Sequence, residues 1–205
     1  MGKLDDNKKQ KQDALLETAF KLFMTKGISK TSISDIVEQA GVAKGTFYLY
    51  FKDKYDIYDR LICHKASELF RQAAIELSAQ PDGIPSFEDR MVFIIDSILN
   101  QLIANPDLLK FISKNLSWGI FKTALSTPVY NEEFDFSLLY TNYLARSLEK
   151  YSQPEIMLFT IVEFVSSVCY SPILYKEPVD IETMKPFIFA NIRSIIRDFR
   201  IDDEN

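Results

Sequence analysis

The sequence predicts an all-α fold: a small three-helix unit at the N-terminus, then a larger helical bundle. Three observations predict it. Apolar residues recur at spacings of three and four through nearly every segment. No strand-like alternation persists. The six glycines and eight prolines of the 205 residues fall mostly in short clusters between the periodic stretches. Hydrophobic residues make up 47% of the chain, enough for a sizeable core.

The first helix carries an apolar stripe of Leu15, Leu16, Ala19, Phe20, Leu22 and Phe23, with Lys11, Glu17 and Lys21 off it. Gly27 stops it in a left-handed cap position. The second, within "TSISDIVEQAG", starts with small hydroxyl residues and places Asp35 three after Ser32, a capping-box spacing. Ile33, Ile36, Val37 and Ala40 form its inner face, and Gly41 ends it. After a short gap comes a third helix, "KGTFYLYF". Asp53 opens a long helix through Ser78, with Ile57, Leu61, Leu69, Ala73 and Leu77 inward. The loop "QPDGIPS" follows at 80–86. Further helical patterns lie near 86–104, 106–125, 132–151, 154–175 and 186–200. The division expected is a head at 1–54 and a body at 55–205.

Composition bounds the function. Cys63 and Cys169 lie far apart and read as reduced thiols. The N-terminus shows no apolar signal segment. The longest apolar run, 156–170, is interrupted by Thr160, Glu163, Ser166 and Ser167 and is short for a bilayer span. A cytoplasmic protein without a membrane partner is expected. Net charge is −5, but residues 1–54 hold ten basic and seven acidic residues, a balance of +3. The remainder holds 14 and 22, a balance of −8. That asymmetry suits a polyanion-facing head on an acidic body. Lys8, Lys9 and Lys11 read either as a solvated arm or as an arm that reaches a groove or phosphates.

The stretch "VAKGTFYLYFKDK" packs four aromatics into five positions beside three lysines. One helical stripe cannot hide Phe47, Tyr48, Tyr50 and Phe51 together, so some must face outward. Two short helices joined by a turn containing Gly41 have the form of a helix-turn-helix, whose second helix meets base edges in the DNA major groove. Lys44 can reach guanine acceptors or a phosphate, Gly45 permits close approach, and Thr46 offers a hydroxyl and a methyl. Tyr48 and Tyr50 bring hydroxyls to phosphates, and Lys54 is a phosphate anchor at the next helix start. Phe47 and Phe51 are better spent inward.

Residues 10–62, through "TSISDIVEQAGVAKGTFYLYFKDKYDIYDRLI", resemble the DNA-binding domain of the TetR (tetracycline-repressor-like) family of bacterial regulators. Tyr50 departs from the pattern, where many members carry histidine. The resemblance adds Thr31, Ser32 and Ser34, the threonine–serine start, to the expected DNA-contacting set. It further implies a homodimer on a palindromic operator, an effector-binding helical body, and repression relieved by a small molecule. Activation by the same architecture, or a helical protein-interaction adaptor that keeps the head as scaffold, are the alternatives.

An enzyme is not expected. His64 is the one histidine, and no glycine-rich phosphate loop or nucleophile elbow occurs. No second His/Cys pair accompanies Cys63 and His64, so neither a metal nor another cofactor is expected. The aromatic body suggests a pocket for a largely apolar or aromatic effector among Phe111, Trp118, Phe121, Tyr140, Tyr143 and Phe159. Glu163 is the singular polar feature of its run, read as paired, exposed or facing a cationic ligand. The helix at 154–175 is apolar almost all round, which fits either the central helix of a monomeric bundle or a helix with one side on its own core and the other on a partner, and the resemblance favours the second. The dimer interface expected from it and the last helix comprises Ile161, Val165, Val168, Ile188, Ile192, Ile195, Ile196 and Phe199.

Overall fold

The structure, a computed structural model, describes residues 3–80, 83–84, 86–113 and 150–201. Eight helices run through the described residues: α1 (Lys3–Lys26), α2 (Ile33–Ala40), α3 (Lys44–Tyr50), α4 (Lys54–Ser78), α5 (Phe87–Ala104), α6 (Pro106–Ser113), α7 (Pro154–Leu174) and α8 (Ile181–Asp198). A two-residue antiparallel pair, β1 (Lys150–Tyr151) with β2 (Arg200–Ile201), closes the C-terminal end. The first three helices form the head: α2 packs on α1 and α3 on α2. In the body α4 packs on α5, α5 on α8, α8 on α7, and α6 fills the space between α4, α5 and α7.

The stop signals act as the residue chemistry requires. Gly27 follows α1 at φ +78° and Gly41 caps α2 at φ +68°, backbone that L side chains rarely adopt. Ser32 caps α2 with a complete capping box: its Oγ accepts from Asp35 N–H at 3.1 Å, and Asp35 Oδ2 accepts from Ser32 N–H at 2.8 Å. These hydrogen bonds from Ser32, with Lys26 at 3.7 Å, hold the Asp35 carboxyl below its ordinary pKa. Asp53 starts α4 by accepting from Tyr55 N–H at 2.8 Å and Asp56 N–H at 2.9 Å.

One continuous core runs from head to body. It joins Leu15, Leu16 and Ala19 of α1, Ile36 of α2, Phe47 of α3, Ile57 and Leu61 of α4, and Leu99 and Ile192 below them. The division at 54 therefore coincides with the start of α4 but not with a break in packing.

Three expectations about elements change. Lys8, Lys9 and Lys11 lie on α1, which begins at Lys3, so the basic arm is helical where it is described. The last helix begins at Ile181, not near 186, because Asp180 caps it at Thr183 N–H, 2.9 Å away. Pro186 is then tolerated near the helix start at the loss of one backbone hydrogen bond. Lys150 and Tyr151 are extended rather than helical: they pair with Arg200 and Ile201, and Ser152 N–H donates to Phe199 O at 2.7 Å. A pair two residues long is too short to show as alternation. The remainder of the patterns at 106–125 and 132–151, with Trp118, Phe121, Tyr140 and Tyr143, lies outside the described residues.

The helix α7 spans 21 residues and is long and apolar enough to cross a bilayer, by length and composition. A core helix of a bundle passes the same test. Here Met157, Leu158, Ile161 and Cys169 are buried against the rest of the chain.

Candidate nucleic-acid interface

The head presents α3 by burying one of its faces completely. Phe47 is 0% and Phe51 1% exposed, their rings 5.4 Å apart. Losing a buried phenylalanine costs about 3–5 kcal/mol, so this pair fixes the rotation of α3 about its axis. The opposite side is then decided by helix geometry. Lys44, Gly45, Tyr48 and Leu49 are exposed, while Thr46 and Tyr50 are half-buried. Tyr48 stands edge-on against Phe47, ring centroids 5.5 Å apart, which steadies its ring while its outer side stays open. A Cβ added at Gly45 would meet nothing within 4 Å among the described residues. Internal packing thus makes no demand for glycine there.

The α4 start lies beside this face. Lys54 Nζ approaches Ser29 O at 3.5 Å and sits 5.6 Å from the centroid of the exposed Tyr55 ring. An open cleft runs between the starts of α2 and α4, lined by Ser29, Lys30, Thr31, Ser32, Ile33, Asp53, Lys54 and Tyr55. Asp56 braces the turn behind it. Burial pushes its carboxyl pKa up, but hydrogen bonds from Lys52 N–H (2.8 Å) and Arg60 Nε (2.9 Å) prevail and leave it lowered. Arg60 also lies over the Phe51 ring at 5.6 Å.

One residue of the expected set is turned away. Thr31 is 1% exposed and its hydroxyl donates to Gly27 O at 2.9 Å. It closes the loop between α1 and α2, with its hydroxyl engaged there. Ser32 and Ser34 are exposed, although the Ser32 hydroxyl is engaged with Asp35 at 2.8 Å. Lys30, Tyr55 and Leu49 had not been singled out. The lysine count of the head could have suggested Lys30. Leu49 carries no polar signal and is found only once Phe47 and Phe51 fix the helix.

The expected pocket also changes. A cavity of about 110 Å³ lies between α4, α5, α6 and α7. Its walls include Leu69, Leu99, Ile112 and Ile161, with Ser113, Ser166 and Cys169 as the more polar points. Among the described lining residues none is charged. Burial pushes the Cys169 thiol up to about 11, so it stays protonated and unreactive at neutral pH. Phe159 and Glu163 do not line this cavity; both are exposed on the outer side of α7. Phe111 does not line it either. It points from α6 into the head, edge-on to Phe20 at 5.2 Å and to Tyr58 at 5.4 Å, and Tyr58 in turn meets Phe23 at 5.3 Å. The helix α6 therefore has one side on the cavity, through Leu109 and Ile112, and Phe111 against the head.

The expected interface needs the largest correction. Ile188, Ile192 and Ile196 are all 0% exposed, so they face this chain's own core. Ile161 is 2% exposed and with Val165 lines the cavity. Val168, Ile195 and Phe199 are half-buried against the core. The outward sides of α7 and α8 carry other apolar residues: Ile156 (51% exposed), Phe159 (39%) and Phe187 (63%).

Comparison with known proteins adds a direct finding. Residues 15–61 match the family of bacterial regulatory proteins, tetR family. That segment of the chain is similar to the family's model. The chain is 36% identical over 86 residues to the uncharacterised HTH-type transcriptional regulator YvdT of Bacillus subtilis, 42% of each chain. It is 38% identical over 102 residues to the HTH-type transcriptional regulator AcrR of Shigella flexneri, covering 46% of this chain and 47% of that one. The matches thus span under half the length of these curated relatives. A solved structure of the regulator FadR from Bacillus subtilis, in complex with stearoyl-CoA, shares the fold with a TM-score of 0.59 at 16% identity, over 89% of this chain and 98% of that one.

Proposed function

We propose that this protein is a cytoplasmic homodimeric transcriptional repressor that binds a palindromic operator and releases it when a small apolar effector occupies the body. The observation that carries the reading is α3: a short helix with Phe47 and Phe51 wholly buried and Lys44, Gly45 and Tyr48 outward. In a helix-turn-helix that face enters the major groove. Lys44 would reach guanine O6/N7 or a phosphate, Gly45 would let the backbone come close, and Tyr48, Tyr50 and Lys54 would serve the phosphates. Ser32 and Ser34, exposed at the start of α2, would add hydroxyl contacts.

Release follows from linkage. An effector that binds better to a body conformation whose heads are wrongly spaced for two successive major grooves weakens DNA binding, and DNA weakens effector binding by the same factor. The cavity is apolar and uncharged in its described lining, which favours an apolar ligand oriented by hydroxyls rather than ion pairs. The helix α6 is suited to relay its presence, since Ile112 meets the cavity and Phe111 meets Phe20 and Tyr58. The α4 lever carries the same shift to Lys54. We place the functional boundary within the first turns of α4, which serve both head and body.

The dimer would use the outward sides of α7 and α8, where Ile156, Phe159 and Phe187 are exposed. An exposed apolar face on two adjacent helices is suited to an isologous two-fold contact.

The test is a thermal-shift screen of the purified chain over alkyl acids, acyl thioesters, phenolics and highly charged metabolites, followed by DNA titration with each hit. An apolar compound at one hundred times its dissociation constant should raise stability by about 2.7 kcal/mol and weaken DNA binding. Stabilising hits that leave DNA affinity unchanged would refute the coupling, and hits confined to charged metabolites would refute the cavity chemistry.

A further inference from the structure

The rotation of α3 singles out Leu49. It is 79% exposed, the most exposed large apolar side chain among the described residues. A lone exposed leucine is ordinary on a protein surface, so its position has to carry the argument. At about 100° per residue, a helix with Phe47 and Phe51 turned inward presents Gly45 and Leu49 as its foremost ridge. These two lie one turn apart, and Lys44 and Tyr48 flank them on one side. The leading edge of α3 therefore has no hydrogen-bonding side chain. It has a glycine, which lets the helix come close, and a leucine behind it.

We propose that Leu49 contacts the 5-methyl group of a thymine in the major groove and sets part of the base preference of this protein. The proposal rests on the reading of α3 as the recognition helix. A leucine can neither donate to nor accept from a base edge. The one apolar feature that the bases present in the major groove is the thymine methyl. Gly45 lacks the side chain that would hold the helix off at this point, and nothing within the described residues packs against it. The close approach and the apolar tip thus serve the same contact. Lys44 and Tyr48, on one side of it, supply polar groups that fix the register on the duplex.

The experiment deletes the methyl and nothing else. A preferred DNA site is first selected from random duplexes with the full chain. Each thymine is then replaced by deoxyuridine in both half-sites, and affinity is measured for wild type and Leu49→Ala. At one thymine position, uracil should weaken wild-type binding about fourfold per half-site, the equivalent of burying one methyl-sized group. The same replacement should leave Leu49→Ala unchanged. Circular dichroism of Leu49→Ala should match wild type, since the side chain supports no core. If the selected site tolerates uracil everywhere, the leucine assignment is overturned while the recognition helix stands. It is also overturned if Leu49→Ala keeps the full uracil penalty at every position. Failure to enrich any sequence overturns this contact and the recognition-helix reading together.

Discussion

Replacing Phe20 and Phe111 by leucine, singly and together, measures whether the head and the body are energetically joined at the aromatic contact beneath the cavity. The rings meet edge-on, centroids 5.2 Å apart and planes at 90°. Such a pair contributes about 0.5–1.5 kcal/mol beyond the area it buries. Phe111 makes a second contact of this kind with Tyr58, at 5.4 Å and 72°. Phe111→Leu alone should therefore cost about 1–3 kcal/mol from the two ring contacts. Phe20→Leu loses the shared contact and the ammonium of Lys65, which lies 5.3 Å from its ring centroid. That cation is worth about 0.5–1 kcal/mol more. Urea denaturation followed by far-ultraviolet circular dichroism, at one fixed protein concentration, gives the four stabilities. The double mutant should be less destabilised than the sum of the singles by about 0.5–1.5 kcal/mol. Additivity to within about 0.3–0.5 kcal/mol would show that the two rings do not communicate, and would remove α6 as the relay.

Further outcomes follow from the same geometry. Lys44→Ala should weaken specific DNA binding by about 1–3 kcal/mol and, if it reads a guanine, relax preference at that base pair. Tyr48→Phe, measured in the same anisotropy titration, should bind more weakly with an unchanged fold. Phe187→Asp, on the outward side of α8, should yield folded monomers by sedimentation velocity. Paired aspartates introduced at Ile192 and Ile196 should instead unfold the chain, because those side chains are 0% exposed within one protomer. A last outcome concerns acid. Burial pushes the Glu68 carboxyl up, but hydrogen bonds from His64 and Lys65 prevail and bring it from 4.5 to about 2. A lowered carboxyl contributes stability that is present above pH 4.5 and lost as pH falls through about 2. Glu68 is 41% exposed, so solvent screens the effect. Glu68→Gln should flatten this acid limb of the stability profile; an unchanged limb would show that the His64–Glu68–Lys65 contact contributes nothing.

Most of the head was legible because its signals are local. Gly27, the Ser32–Asp35 box, Gly41 and the Asp53 cap each act within a few residues, and each is where its chemistry required. Phe47 and Phe51 were assigned inward by the surplus of aromatics in their stretch. Thr31 misled because a threonine at a helix start suits a surface cap as well as it suits a buried loop closure. Only the carbonyls of Leu22 and Gly27 decide between them. The body was legible as helices but not as faces. In α7 nearly every position is apolar, so periodicity gives no direction. The stripe of Ile188, Ile192 and Ile196 was visible, but whether it meets its own chain or a second copy is set by its packing on the neighbouring α7 and on α5, distant in sequence. Phe111 was likewise read as a pocket wall, because its partners Phe20 and Tyr58 belong to segments far upstream.

The central claim is that α3 reads DNA, and the most direct measurement is selection of duplexes from a random pool by the purified full chain, followed by fluorescence anisotropy on the enriched site across a salt series. The account predicts an inverted repeat whose half-sites lie about one helical turn apart. It also predicts affinity at least about a thousandfold above that for random duplex and a linear loss of log affinity with log salt. Enrichment of no sequence over the random pool would contradict it. So would a selected site whose affinity is indifferent to Lys44→Ala and Tyr48→Phe.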